Sequence, residues 1–288
     1  MTGAPRDEST LAAPAVVRIG LAGAGGRMGR ALIDATLASG DLVLAGAVDV
    51  PDSPALGADP GAHAGRTTGL RIASDVDAVV SACDVFIDFT RPAGTLAHLA
   101  ACSRAGVGAV VGTTGFDAEG KATIARYANT IPIVFAANMS VGVTVLAQLV
   151  EDAARRLGAA FDIEIVEMHH RHKVDAPSGT ALRLGEAAAA GAGVALSDHA
   201  LYAREGVTGE RTPGTIGFAT LRGGDVVGEH SVIFAGVGER LELTHRATSR
   251  QNFAAGALRA ARFVAALRAA NRNGLFDMAD VLDWRHPT

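Results

Sequence analysis

The stretch "VVRIGLAGAGGRMGRALIDATLASGDLVLAGAVDV", Val16–Val50, decides the fold. Its first run, "VVRIGLAGA", is short, rich in β-branched residues and stopped by glycines, which predicts a buried strand. "RALIDATLASG", after Gly29, carries apolar residues at helical spacing and ends at Gly40, which predicts a helix closed by a glycine cap. "DLVLAGAVDV" predicts a second strand ending at Asp49. Strand, helix and strand in this order form a βαβ unit, and a helical crossover demands parallel strands.

The loop inside this unit, "GAGGRMG", sets Gly23, Gly26 and Gly29 at intervals of three. The usual G-x-G-x-x-G fingerprint is not met, because Met28 stands where the third glycine falls when counting from Gly23 and Gly25. The mechanics survive: glycines at a strand end allow positive φ and close backbone approach, and the following helix start offers free N–H groups to a pyrophosphate. Taken alone, such a loop also reads as a structural turn. Asp49 supplies the second feature, a carboxylate placed to accept hydrogen bonds from the adenosine ribose hydroxyls. An acid there, followed by Val50 rather than a guanidinium, disfavours the extra phosphate of NADP and points to NADH; Arg27 in the loop keeps NADPH open.

Outward from this unit the pattern repeats. "CDVFIDFT" predicts a strand, "AGTLAHLAACSRAG" a helix, "VGAVVGTTG" a strand, Ala118 to Asn129 a helix and "IPIVFAAN" a strand, a Rossmann-like doubly wound α/β arrangement. The connection Pro51 to Leu70, rich in Gly, Pro and Asp, is expected to be exposed and mobile. Two further strand ends, Gly112 to Gly115 and Ala136 to Met139, fall on the ligand edge of such a sheet, where backbone atoms can hold the nicotinamide carboxamide and ribose; ordinary turns are the alternative. After Asn138 the texture changes to a helix, an alternating strand "FDIEIVEMHH", a second helix and glycine-bounded strands, which predicts an α+β domain on an open mixed sheet. Gln251 to Ala270 reads as an amphipathic helix bearing Arg259, Arg262 and Arg268 that returns to the first domain. The expected division is a disordered extension over 1–15, a dinucleotide-binding domain over 16–140 plus 250–288, and a substrate-binding and oligomerisation domain over 141–249.

Composition limits the partners. With Lys+Arg 26 against Asp+Glu 30 and a net charge of -4, no global basic field draws nucleic acid or an anionic membrane, so an anion must be caught locally. No apolar run has the length of a membrane span, and the polar N-terminus lacks a signal peptide's regions, which favours a cytoplasmic protein. Cys83 and Cys102 sit in apolar stretches without CxxC spacing and read as reduced core thiols.

The local anion site is "EMHHRHKVDAPSGTA", Glu167–Ala181. His169, His170 and His172 at short spacing can be read as metal ligands or as a solvated basic strand end. Arg171 and Lys173 add fixed positive charge around the same point and weigh against a metal. The stronger reading is an acid site for an anion. Ser178-Gly179-Thr180 opens the next helix and offers N–H groups and hydroxyls to a carboxylate, Lys173 adds a point charge, and a neighbouring histidine titrates near neutrality. His230 and His245, in the later strands, read as hydrogen-bonded core or interface histidines.

The whole set, "GAGGRMG", "DFT", "GTTG", "AANMSVGV", "EMHHRHKVDAPSGTA", "GTIGFATLRGGDVVGEHSV" and "ERLELTHRA", resembles the 4-hydroxy-tetrahydrodipicolinate reductase family, historically dihydrodipicolinate reductase, from about Val16 to the end. The resemblance implies hydride transfer from NAD(P)H to a cyclic imine dicarboxylate on the diaminopimelate route to lysine. Carried over, His169 is the proton donor and Lys173 a second acid or charge stabiliser, while His170, Gly179 and Thr180 hold substrate. Gly23, Ala24, Gly25, Gly26, Arg27, Met28, Asp49, Gly112, Thr113, Thr114, Ala136, Ala137, Asn138 and Met139 hold cofactor. It also implies two domains that close over the ligands and a homotetramer joined through the second-domain sheets. Val50 replaces an arginine found after the strand-end acid in some members, and Met139 replaces an aromatic. The rivals are another Rossmann reductase of an amino-acid precursor and a non-catalytic dinucleotide sensor.

Overall fold

The computed structural model describes residues 14–282. The expected N-terminal extension lies, as far as residue 13, outside the described residues. The chain divides into two units, one running to Ala136 and resuming at Ala254, the other Ala137–Phe253.

In the first unit the elements are β1 (Val17–Ala22), α1 (Arg27–Leu37), β2 (Leu42–Val48), α2 (Val76–Ala82), β3 (Val85–Asp88), α3 (Pro92–Ala105), β4 (Gly108–Val111), α4 (Ala118–Tyr127) and β5 (Pro132–Phe135). The second unit continues with α5 (Val141–Leu157), β6 (Asp162–His169), α6 (Gly179–Ala192), α7 (Leu196–His199), β7 (Ala200–Leu201), β8 (Ile216–Arg222), β9 (Gly228–Gly236) and β10 (Glu239–Ala247). The chain then re-enters the first unit through α8 (Gln251–Ala269) and adds β11 (Gly274–Phe276) and α9 (Met278–Val281).

Among the described residues the first sheet has six strands in the order β11-β5-β4-β3-β1-β2, all parallel. Its central strands are short and buried along their whole length, as in "VFID" and "GAVV". Helices must therefore cover both faces, since a half-exposed strand alternates and these do not. α8 belongs to this cover: Ala254, Ala257, Ala260, Ala261 and Val264 are buried, and small side chains allow close approach. Arg262 on its outer side makes a two-pronged ion pair with Asp41, at 2.6 and 2.7 Å, which holds that carboxyl far below the usual carboxylate range.

The second sheet is mixed, in the order β10-β9-β6-β8-β7, with β6 parallel to β8 and antiparallel to β9. β6 alternates strictly, burying Ile163, Ile165, Glu167 and His169 on one face. α5 and α6 cover that face, packing Leu146, Val150 and Leu184 on Phe218, Val232 and Phe234. Each such side chain removed from water contributes about 1.5–3 kcal/mol. The face holds the core at one end of β6 and turns polar at the other.

Several boundaries differ from the sequence reading. α1 starts at Arg27, before Gly29, and its C-cap is Ala38 rather than Gly40; the Ala38 N–H reaches back to the Asp34 carbonyl and the Ser39 N–H to that of Thr36, so no glycine is needed. β2 ends at Val48, leaving Asp49 just past the ladder. The loop after it is exposed over much of its length yet tied down. Asp59 accepts hydrogen bonds from the N–H groups of Gly61, Thr68 and Gly69 and from the Thr68 hydroxyl, while His63 bonds Asp34 and Arg66 the Leu37 carbonyl of α1. The Gly, Pro and Asp content that predicts an exposed loop does not reveal that one of those acids, Asp59, closes the loop on itself.

Both cysteines are free and buried, and burial pushes the Cys83 thiol up to about 12. Among the described residues no helix is long and apolar enough to cross a membrane.

Candidate active site

The first unit gathers its candidate residues at the C-terminal ends of β1, β2 and β4. Gly23 has φ +70°, a conformation that costs glycine little, and it turns the chain from β1 toward α1. Gly29 lies so close beneath that turn that a Cβ there would sit 2.1 Å from the Gly23 carbonyl oxygen. Asp49 closes the cradle, its carboxylate accepting from the Gly25 N–H at 2.7 Å and from the Val50 N–H at 2.8 Å. A side chain at Gly25 would collide with that carboxylate.

The start of α1 is bare. Gly26 caps it with no side-chain hydrogen bond, and no acid stands in the first turn. By contrast Asp75, Asp117, Ser140 and Ser178 cap α2, α4, α5 and α6 with side-chain oxygens. An uncapped helix start keeps its amide donors and partial positive charge for an anion, so these residues fit a dinucleotide's pyrophosphate. Arg27 is exposed at this end, Ala24 is buried and Met28 half-buried.

Thr113 differs from its neighbours in the "GTTG" turn. It is buried, and its hydroxyl bonds Thr95 at 2.8 Å and Asp88 at 3.3 Å, so it braces the strand end while Gly112 and Thr114 remain nearer solvent. Asp88 is the hub: it also accepts from Thr90 and from His98, at 2.6 Å. Burial alone would raise its carboxyl, but these partners hold it below the usual range. In the "AANM" stretch, Ala136 ends the first unit and Ala137 begins the second. The Met139 side chain is buried in protein, leaving backbone atoms as what it can offer a ligand.

In the second unit, His169 ends β6 with its ring nearly buried. Its Nδ1 faces Glu167 Oε2 at 2.5 Å; among the described residues its Nε2 has no hydrogen-bond partner. Burial outweighs the attraction of Glu167 and holds the imidazole below its ordinary pKa. Lys173 and Arg222 act in the same direction. Lys173 Nζ spans both oxygens of Asp175 at 2.9 Å; Asp175 is exposed and Lys173 half-buried, so water can replace the lysine at the carboxylate when another anion takes the ammonium. His170 is half-buried, and its Nδ1 is shut from solvent with no hydrogen-bond partner among the described residues.

At the start of α6 the three predicted residues divide. Ser178 is buried, and its polar groups serve the protein: the N–H donates to Glu167 Oε1, the hydroxyl caps the Ala181 N–H and bonds His230 Nε2 at 3.0 Å. Gly179 is exposed and Thr180 half-buried, with the Thr180 hydroxyl taking a hydrogen bond from Asn138 Nδ2 at 2.9 Å. Asn138, expected at the cofactor, thus touches the turn that opens α6. His230 is the core histidine that the sequence suggested; burial pushes it down to about 3, and the nearby His169 adds to the shift. Among the described residues no three His, Cys, Asp or Glu side chains form a group able to hold a metal ion.

Glu167 and Arg222 carry no role in the sequence reading. Arg222 closes β8 opposite His169 and grips both Glu167 oxygens, at 2.8 and 3.0 Å. Glu167 was accessible from spacing alone, since residues i and i+2 of a strand share a face; Arg222 required the register of two strands far apart in sequence.

The chain matches the profiles described as "Dihydrodipicolinate reductase, N-terminus" over residues 17–139 and "Dihydrodipicolinate reductase, C-terminus" over residues 142–282. It is 59% identical over 268 residues to the 4-hydroxy-tetrahydrodipicolinate reductase of Dechloromonas aromatica (strain RCB), covering 93% of this chain and 98% of that protein. It is 59% identical over 266 residues to the protein of the same name from Cupriavidus necator, covering 92% and 99%. Among solved structures, a dipicolinate-bound dihydrodipicolinate reductase from Paenisporosarcina sp. TG-14 superposes with a TM-score of 0.70 at 25% identity, over 92% of this chain and 98% of that one. A scyllo-inositol dehydrogenase from Lactobacillus casei, at 15% identity and a TM-score of 0.57 over 93% of each chain, shares the fold alone. Both halves, the glycine cradle and the histidine-bearing sheet, are accounted for by one family, and the chain belongs to the dihydrodipicolinate reductases.

Proposed function

We propose that this chain reduces 4-hydroxy-tetrahydrodipicolinate, a cyclic imine dicarboxylate, to tetrahydrodipicolinate in the diaminopimelate route to lysine. Substrate, NAD(P)H and one proton give product, NAD(P)+ and water. The observation that carries the reading is a nearly buried imidazole, His169, whose Nε2 has no hydrogen-bond partner among the described residues, in the same sheet-and-helix unit as Lys173 and the α6 start.

A reduced nicotinamide supplies the hydride. The chain's own residues do the rest. The Gly179 and Thr180 N–H groups at the α6 N-terminus, with His170, receive a substrate carboxylate, and Lys173 leaves Asp175 to meet the substrate's charge. His169 Nε2 delivers the proton to the ring as negative charge builds there. In the free protein burial keeps this imidazole neutral near pH 7; a dianion arriving beside it favours the charged form, so proton uptake accompanies substrate. Gly23 to Met28 hold the pyrophosphate and Asp49 the ribose. We further propose that Gly112 to Thr114 and Ala136 to Met139 hold the nicotinamide end through backbone atoms, with Thr113 as brace.

NADH is the preferred donor, because Asp49 is followed by an exposed Val50 rather than a guanidinium. The assembly is a cytoplasmic homotetramer. β10 is an edge strand whose residues are mostly exposed, Leu241 among them, and a second copy of the chain covers such an edge. Sedimentation of the purified protein checks the assembly. The activity is tested in a coupled assay in which a synthase generates the imine: NADH is consumed only when the imine is present, and imine-independent consumption, or none, overturns the reading.

A further inference from the structure

We propose that Glu167 is a positioning residue that holds His169 in its Nδ1–H tautomer and leaves Nε2 to exchange the proton with substrate, a role that rests on the reduction proposed above. The argument begins with burial. Glu167 is 1% exposed, and a carboxylate so placed is costly unless its lone pairs are filled. All four are. Oε1 takes the Ser178 N–H and one Arg222 nitrogen, each at 3.0 Å, and Oε2 takes the other Arg222 nitrogen at 2.8 Å and His169 Nδ1 at 2.5 Å. An ionised carboxylate only accepts, so His169 Nδ1 must carry hydrogen. In the neutral ring Nε2 is then the basic atom, and in the charged ring it is the atom free to release its proton.

Glu167 also joins two parts of the site. Through the Ser178 N–H it fixes the turn that opens α6, and through Nδ1 it fixes the ring at the end of β6. The distance from the acid to the anion-holding turn is thus set by one buried group. Arg222 keeps that group anionic, and its own NH2 is tied to the Asp175 carbonyl at 2.7 Å, which leaves it little freedom to turn away. The groups facing His169 are Glu167 on its own strand, Lys173 in the following loop, itself paired with Asp175, Arg222 on β8 and His230 on β9, whose ring lies 5.0 Å from that of His169. Of these, Glu167 is the anion in contact with the ring.

Glu167→Gln keeps the shape and an acceptor for the Ser178 N–H, and removes the charge. The expected result is a fall in kcat of about tenfold or more with KM changed far less. The alkaline limb of the rate profile, where the donor loses its proton, should move to lower pH by about one unit. Glu167→Asp restores the charge and should bring the limb back. A folded Glu167→Gln with unchanged kcat and limb overturns the proposal, as does an Asp variant that behaves like Gln. The wild-type ring provides a second readout that needs neither a variant nor turnover: side-chain nitrogen NMR of His169 at alkaline pH, assigned by its loss in His169→Gln, should show the Nδ1–H tautomer. An Nε2–H tautomer overturns the proposal even if Glu167→Gln does not fold. Failure of the wild type to turn over the imine overturns the proposed function instead and leaves the tautomer result standing.

Discussion

The starts of α1 and α6 are both suited to an anion, and they are built by opposite means. At α1 the work is done by backbone: Gly26 provides no cap, no acid occupies the first turn, and the chain doubles back at Gly23 over Gly29. At α6 it is done by side chains: Ser178 caps the helix, a buried Glu167 sits beneath it, and His230 and Arg222 fill in behind. A backbone site is intolerant of volume and indifferent to protonation. A side-chain site is the reverse. On the proposed function, the difference separates the tasks of the two units: one grips a ligand whose chemistry is its own, the other moves a proton.

The contrast breaks most visibly at Gly29. Gly29→Ala puts a methyl group 2.1 Å from a carbonyl oxygen of the main chain, which cannot yield as a flexible side chain does. NADH binding measured by calorimetry should weaken by about a hundredfold or more, as roughly 3 kcal/mol of backbone rearrangement is charged against it. Normal binding would show that the loop is softer than its packing implies. His169→Gln gives the complementary result. Turnover falls by about a hundredfold while the NADH dissociation constant stays put, because only proton delivery is lost. Lys173→Ala should cost turnover to a similar degree and raise KM as well, since its charge serves binding too.

These two regions were unequally legible in the sequence. The glycine loop was readable because its requirements are local: a strand, a turn lacking side chains and a helix succeed one another within Val16–Leu37. Its helix start was not, because the same glycines that make the cradle also blur the boundary. The histidine turn announced its cations but not their wiring. Ser178 was singled out on the strength of its place before a helix, but its internal bond to His230 was not readable, because it exists only where β9 lies alongside β6. Arg222 could not be connected to Glu167 without the β6–β8 register, which sets it opposite His169 across fifty-odd intervening residues. Side-chain networks spanning several strands are a property of topology, and a single sequence displays topology only through its motifs.

Protonation should also distinguish the units in stability. Burial pushes His230 down to about 3 from an ordinary 6.5, and lowers His169 and His245 as well. As pH falls from 6.5 toward 3 the unfolded chain binds a proton at His230 that the folded chain refuses, so the stabilisation is fully present above 6.5 and lost on acidification. The buried carboxylates lose their contribution in the same direction but at lower pH, below their ordinary range near 4. Urea unfolding between these limits should therefore show stability rising with pH, and His230→Gln should reduce that slope by up to about 1.4 kcal/mol per pH unit. An unchanged slope would mean that His230 is protonated in the folded protein.

The smallest expected effect lies at the cradle's rim. Val50 is 61% exposed, so Val50→Arg costs the fold nothing measurable, and the new guanidinium stands next to the Asp49 carboxylate. A charge-assisted bond to a 2'-phosphate is worth about 1.5–3 kcal/mol, but here it is exposed to solvent and shares its position with an anion that already accepts two backbone N–H groups. The net gain is about 1 kcal/mol, or roughly a fivefold improvement of kcat/KM for NADPH with little change for NADH. Such a shift would place cofactor choice in one residue after the strand. No shift would move it to Arg27, which stands exposed at the α1 start, on the other side of the glycine turn from position 50 in the chain.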